Sequence, residues 1–118
     1  MFDFEDGYGP VPAHRHPNGG GWVADTAYVA NTAYVGPDAR VYGSARVYGE
    51  AKVFHSAWVY GSARVFHSAR VYGEALIYGS AKVYDAARVF GSACVYDSAW
   101  VYDSAHVYGE AWVSGEAQ

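Results

Sequence analysis

Residues 40–57 read RVYGSA RVYGEA KVFHSA, three six-residue units in succession. The unit first appears at Trp22 and runs to Ala117 without insertion or deletion, sixteen copies in all. Its second position is Val in fifteen copies and Ile77 in the other; its sixth is Ala in every copy, from Ala27 to Ala117. A period of six drifts against the helical turn of about 3.6 residues and divides evenly by the two-residue period of a strand. Ala, the residue after it, Val and the aromatic therefore read as in, out, in, out along a short strand. The two residues that follow are mostly Gly-Ser, Gly-Glu, His-Ser or Asp-Ser. These are turn formers, and Gly, Asp and His are types that accept positive φ. Each hexad is one short strand and one corner, and residues 22–118 form one repeat domain.

The rest of the composition agrees. At 118 residues, 52 % hydrophobic and 17 % charged, the chain is a single domain too apolar to stay disordered. No apolar run approaches the roughly 20 residues that span a membrane. The opening MFDFEDGYGP is acidic and lacks the basic and apolar regions of a secretion signal. A single cysteine, Cys94, excludes an internal disulfide framework. Together these lead us to expect a cytoplasmic protein, in a host's cytoplasm if a phage encodes it. The net charge of −4 provides no global attraction to nucleic acid or anionic lipid.

VADTAY, VANTAY and VGPDAR, residues 23–40, match the pattern of the hexapeptide-repeat family: an aliphatic residue, a small or acidic one, two variable positions, a small residue and one more variable position. Later units keep the aliphatic and small positions but place Tyr or Phe after the aliphatic. The chain resembles this family from residue 22 onward. The resemblance implies a left-handed parallel β-helix, three hexads and 18 residues per coil, about five coils, and commonly a homotrimer. The His-Pro-Asn-Gly-Gly-Gly lead-in is similar to that of short repeat proteins of bacteria and their phages.

Reading every eighteenth residue separates three faces. The first carries Trp22, Arg40, Trp58, Leu76, Cys94 and Trp112 before the aliphatic position, beside Tyr42, Tyr60, Tyr78 and Tyr96. An apolar strip of this height marks an interface. Trp22, Trp58, Leu76, Tyr78, Cys94, Tyr96 and Trp112 are the expected contacts between copies. The second face has Arg46, Arg64 and Lys82 next to Tyr48, Phe66 and Tyr84; the third has Lys52, Arg70 and Arg88 next to Phe54, Tyr72 and Phe90. Two readings fit these columns. One is a solvated face with arginine stems lying over rings. The other is a flat surface for an acidic partner, with Arg46, Arg64, Lys82, Lys52, Arg70, Arg88, Tyr48 and Tyr72 as partner-binding residues. Nucleic acid is disfavoured by acidic corners such as Glu50, Glu74, Asp85, Asp97, Asp103, Glu110 and Glu116.

Residues 1–21 break the period. Pro10, Pro12, Pro17 and the Gly19–Gly21 run argue for an irregular cap over the first coil, with Phe2, Phe4 and Tyr8 as plugs. His14 and His16 are spaced to project to one side of an extended segment and are the weak candidates for a metal site, shared between the copies of a trimer. No cofactor is expected otherwise. Hexapeptide-repeat acyltransferases carry a catalytic His on or facing a loop excursion, together with a C-terminal helix, and this chain has neither feature. Its carbonic anhydrases use histidines five residues apart, a spacing absent here. His55 and His67 read as corner residues, and no His has an evident acid partner at a set spacing. The sequence thus points to a non-catalytic scaffold or binding protein that docks on a host protein. The alternatives are a spike, fibre or assembly component, and an acyltransferase-like enzyme.

Overall fold

The computed structural model describes residues 2–3 and 9–114. Among these there is no helix, and every hexad supplies one strand. After β1 (Phe2–Asp3), β2 (Pro10–Val11) and β3 (Ala13–Arg15), the first coil has β4 (Trp22–Ala24), β5 (Tyr28–Val29) and β6 (Tyr34–Val35). The second has β7 (Arg40–Val41), β8 (Arg46–Val47) and β9 (Lys52–Val53); the third β10 (Trp58–Val59), β11 (Arg64–Val65) and β12 (Arg70–Val71). The fourth has β13 (Leu76–Ile77), β14 (Lys82–Val83) and β15 (Arg88–Val89); the fifth β16 (Cys94–Val95), β17 (Trp100–Val101) and β18 (His106–Val107); β19 (Trp112–Val113) begins a sixth.

From β4 to β16 each strand pairs in parallel with the strand three places on, so Arg40, Trp58, Leu76 and Cys94 stack in register. Three parallel sheets result, and the chain is a β-solenoid of about five 18-residue coils. Within the stack, the N–H groups flanking an aliphatic residue donate to the next coil. Arg46 N–H donates to the Ala63 carbonyl (2.9 Å) and Tyr48 N–H to that of Val65 (3.0 Å). At the corner Ser44 N–H reaches the Gly61 carbonyl (2.8 Å), so the bonding continues through the turns.

The in–out reading holds in the bore. From Ala33 to Ala99 every Ala, Val and Ile at the sixth and second unit positions is 0 % exposed. The corners hold positive φ, supplied by Gly or by His55, His67, Asp85, Asp97 and Asp103 at φ 55–60°. Gly61 shows a further reason for glycine: a Cβ there would come within 2.9 Å of the Gly79 backbone nitrogen in the coil above.

The N-terminal segment departs from expectation. Its described residues include short strands: β1 pairs antiparallel with β2, and β3 pairs antiparallel with β4, matching His14 to Val23 and Arg15 to Trp22. Pro10 opens the end strand β2, and Pro12 and Pro17 lie outside the strands, positions where a missing N–H breaks no ladder. The following turn completes a second edge. Gly21 N–H donates to the Val35 carbonyl (2.9 Å), and Val35 N–H donates to that of Asn18 (3.1 Å). A Cβ on Gly21 would collide with the Val35 side chain and the Gly36 carbonyl, so only glycine fits. Phe4 and Tyr8 lie outside the described residues, as does the side chain of Phe2.

Candidate functional site

The three aromatic columns form three ladders. Tyr42, Tyr60, Tyr78 and Tyr96 stack on the first face, Tyr48, Phe66, Tyr84 and Tyr102 on the second, and Phe54, Tyr72, Phe90 and Tyr108 on the third. Successive centroids lie 4.8–5.5 Å apart with ring planes within 13° of parallel. The coil repeat forces this geometry, because strands about 4.8 Å apart bring identical positions to ring-stacking distance. The ring faces are used on each other.

The first face divides into two parts. In its lower part Val11 and Ala13, from the N-terminal strands, pack against Ala24 and Tyr42 in a small apolar cluster outside the bore that also takes in Trp22, Trp58 and Tyr60. Arg15 lies over the Trp22 ring at 4.7 Å and Arg40 over Trp58 at 4.8 Å. Both tryptophans are half-buried and line a shallow depression of 460 Å³ together with Arg15, Asp38 and Arg40. In the upper part Leu76, Tyr78, Cys94 and Tyr96 are half-buried and Trp112 is 72 % exposed. Burial raises the Cys94 thiol above its ordinary range, so it is protonated at neutral pH and a weak nucleophile.

The second and third faces hold the cations. Arg46, Arg64 and Lys82 are in register on neighbouring strands, and so are Lys52, Arg70 and Arg88. These are six of the eight Lys and Arg residues in the chain. None of the six makes an ion pair among the described residues. Lys82 alone sits over a ring, that of Trp100 at 5.3 Å. The carboxylates of Glu50, Glu74, Asp85, Asp97, Asp103 and Glu110 are at the corners; Glu116 lies outside the described residues.

The histidines find partners that one-dimensional spacing hides. His14 Nδ1 is 2.8 Å from Asp25 Oδ1, in the open. His16 is 3 % exposed and its Nε2–H donates to the Ala33 carbonyl at 2.9 Å. A further coil would present a backbone N–H to that carbonyl, as Tyr34 does to Ala51 one coil higher. The imidazole thus stands in for a missing strand. The two rings are engaged separately, and no group of three or more His, Cys, Asp or Glu converges among the described residues.

His67 has an acid partner after all, with Nδ1 3.0 Å from Asp85 Oδ1 one coil away. Reading the corner columns at 18-residue intervals would have paired them. The His67 side chain is exposed and that of Asp85 partly so. His55 shares its place at the positive-φ corner and packs edge-on against Phe54 and Tyr72.

No protein-family model matches the chain, and no curated protein or solved structure matches it either.

Proposed function

We propose that this is a non-catalytic binding protein, a divergent hexapeptide-repeat β-helix that docks the cation columns of its second and third faces on an acidic protein surface. One observation supports this reading above the rest: six cations stand in two in-register columns with no carboxylate paired to them among the described residues. Like charges directly opposite on neighbouring strands are destabilising. A sequence that keeps its acids at the corners and its bases in columns leaves that repulsion for a partner to relieve. Stacked rings favour a protein over single-stranded nucleic acid, because base recognition by stacking needs open ring faces. An inhibitor or adaptor in a bacterial cytoplasm, of the kind phages encode, fits this chemistry. The half-buried apolar strip of Leu76, Cys94 and their tyrosines supports association into a trimer, which would multiply the cationic faces.

The test is charge reversal. Arg64→Glu combined with Arg70→Glu places each new carboxylate between two cations and leaves the bore untouched. Wild-type protein immobilised in bacterial extract should retain a stoichiometric acidic protein that elutes with rising salt, and the double variant should retain none of it. Equal capture by both proteins, or elution insensitive to salt, would overturn the proposal.

A further inference from the structure

The two cation columns differ in what stands beside them. On the second face a channel runs up the stack with Arg46, Arg64 and Lys82 as one wall and the exposed Ser44, Ser62 and Ser80 as the other. Its floor is Ala45, Ala63 and Ala81, all pointing into the bore. The residues before the three serines are Gly43, Gly61 and Gly79, so this corner holds hydroxyls and no carboxylate through the second, third and fourth coils. Its nearest acids, Asp25 and Asp97, stand below and above that stretch. The lower end opens into a depression of 530 Å³ lined by Thr26, Tyr28, Ser44 and Arg46. The third face answers part of its own charge. Glu50 lines a smaller depression of 320 Å³ together with Lys52 and Arg70, and Asp85 occupies the same corner three residues before Arg88.

Beyond the second-face cations stands the ladder of Tyr48, Phe66 and Tyr84, and Glu50 and Asp85 rim its far edge. The order across this face is therefore hydroxyl, cation, ring, acid. A carboxylate is drawn to the second of these columns and repelled at the fourth, so a partner's acids have one place to lie and its apolar residues another. The spacing along the axis selects the shape of that partner. Three cations on strands about 4.8 Å apart span about 9.6 Å at the backbone. Three acids on successive turns of an α-helix span about 10.8 Å, and three on one side of an extended strand about 13.4 Å. The helix is out of register by about 1 Å over the whole column, which long side chains absorb, and the strand by nearly ~4 Å.

Resting on the acidic partner proposed above, we infer that the second face is the one that grips, and that it takes an α-helix of the partner laid along the solenoid axis. Asp or Glu on successive turns of that helix meets Arg46, Arg64 and Lys82, with Ser44, Ser62 and Ser80 as further donors. An apolar stripe on the neighbouring helix face rests against the ring edges of Tyr48, Phe66 and Tyr84, the amphipathic arrangement by which helices dock in grooves. The third-face column adds to the field that steers encounter and makes no close contact.

The probe is a short blocked peptide with Glu at i, i+4, i+7 and i+11 and a Leu stripe beside them. Its control is an isomer of the same composition in which Glu occupies alternate positions. Both are titrated into isotopically labelled full-length protein at low salt, where charge contacts are least screened. The striped peptide should gain helical circular dichroism on binding and shift the amide resonances of β8, β11 and β14 and of the serines beside them. Arg64→Glu should weaken it about tenfold, Arg64→Gln about threefold and Arg70→Glu less than about twofold. All three substitutions are outward and leave the bore as it is. The inference fails if the striped peptide does not bind, if it binds without becoming helical, if the isomer binds as tightly, or if Arg70→Glu costs as much as Arg64→Glu. Capture from bacterial extract by the single variants separates this from the proposed function. An acidic protein lost with Arg70→Glu as readily as with Arg64→Glu overturns the second-face assignment and leaves the acidic partner standing; no salt-sensitive capture by wild type overturns both.

Discussion

Arg64 sits between Arg46 and Lys82 in one column, in register with both. Replacing it with Gln removes the charge and keeps a polar chain on an outward position. With strands about 4.8 Å apart and flexible stems, the charged heads spread to about 6 Å. At that distance two unit charges in water repel by about 0.7 kcal/mol, and salt at about 0.15 M cuts this to roughly half. Two such neighbours make Arg64→Gln more stable than wild type by about 1 kcal/mol at low ionic strength. For a chain of this length that is a rise of about 4 °C in Tm. The assay is thermal unfolding followed by circular dichroism at about 10 mM and about 1 M salt, where the screening lengths are about 30 Å and 3 Å. The gain should be present in the first and nearly gone in the second. A variant less stable than wild type at low salt, or a gain that ignores salt, would show that the column is not a site of repulsion. The main support for the proposed function would go with it.

Three other outcomes follow from the same geometry. Ala63 is 0 % exposed in the bore, so Ala63→Leu should overpack it and cost about 1–3 kcal/mol in denaturant unfolding; a neutral result would refute the inward assignment. His16→Ala removes one donor to the Ala33 carbonyl while Asn18 Nδ2, at 3.1 Å, keeps another, so the loss should be near 1 kcal/mol, with faster amide exchange at Val35; unchanged exchange would mean that the cap does not hold that edge. Burial, then the neighbouring Tyr78 phenol and Cys94 thiol, raise Tyr60 above the usual 10, and burial with the Cys94 thiol does the same for Tyr78. The folded chain therefore keeps protons that the unfolded chain releases. The stability this confers is complete below about pH 10 and is lost as pH rises through the folded values. Ultraviolet titration should show these phenols ionising late and together with unfolding; simple titration of every tyrosine near 10 in a chain that stays folded would contradict this.

The solenoid was legible because each of its determinants recurs. Val or Ile at the second unit position and Ala at the sixth state the bore sixteen times, and His67 and Asp85 announce a positive-φ corner as plainly as Gly61 does. The cap was not legible because it happens once. Pro12 and Pro17 read as breakers, yet the three residues between Pro12 and His16 form the strand that closes β4. Nothing periodic marks His16 as a substitute for a backbone N–H, and its partner Ala33 is a coil away in sequence. The His67–Asp85 contact was hidden for a different reason. It is periodic, but only at eighteen residues, and appears once the corners are read as columns like the faces.

The charge pattern has a consequence for how such a protein can change. The bore needs only Val, Ile and Ala, and the corners need only residues that accept positive φ. The position before the aliphatic residue is left open, and in this chain it holds Trp, Arg, Lys, Leu, Cys, Tyr or His without altering the register. Substitution there changes what a face binds while the ladder and the interior remain as they are. Stability limits that freedom mainly where like charges stack, as at Arg46, Arg64 and Lys82. A column that keeps such repulsion along three coils, when a single Glu at Arg64 would relieve it, fits the proposed acidic partner better than the fold alone.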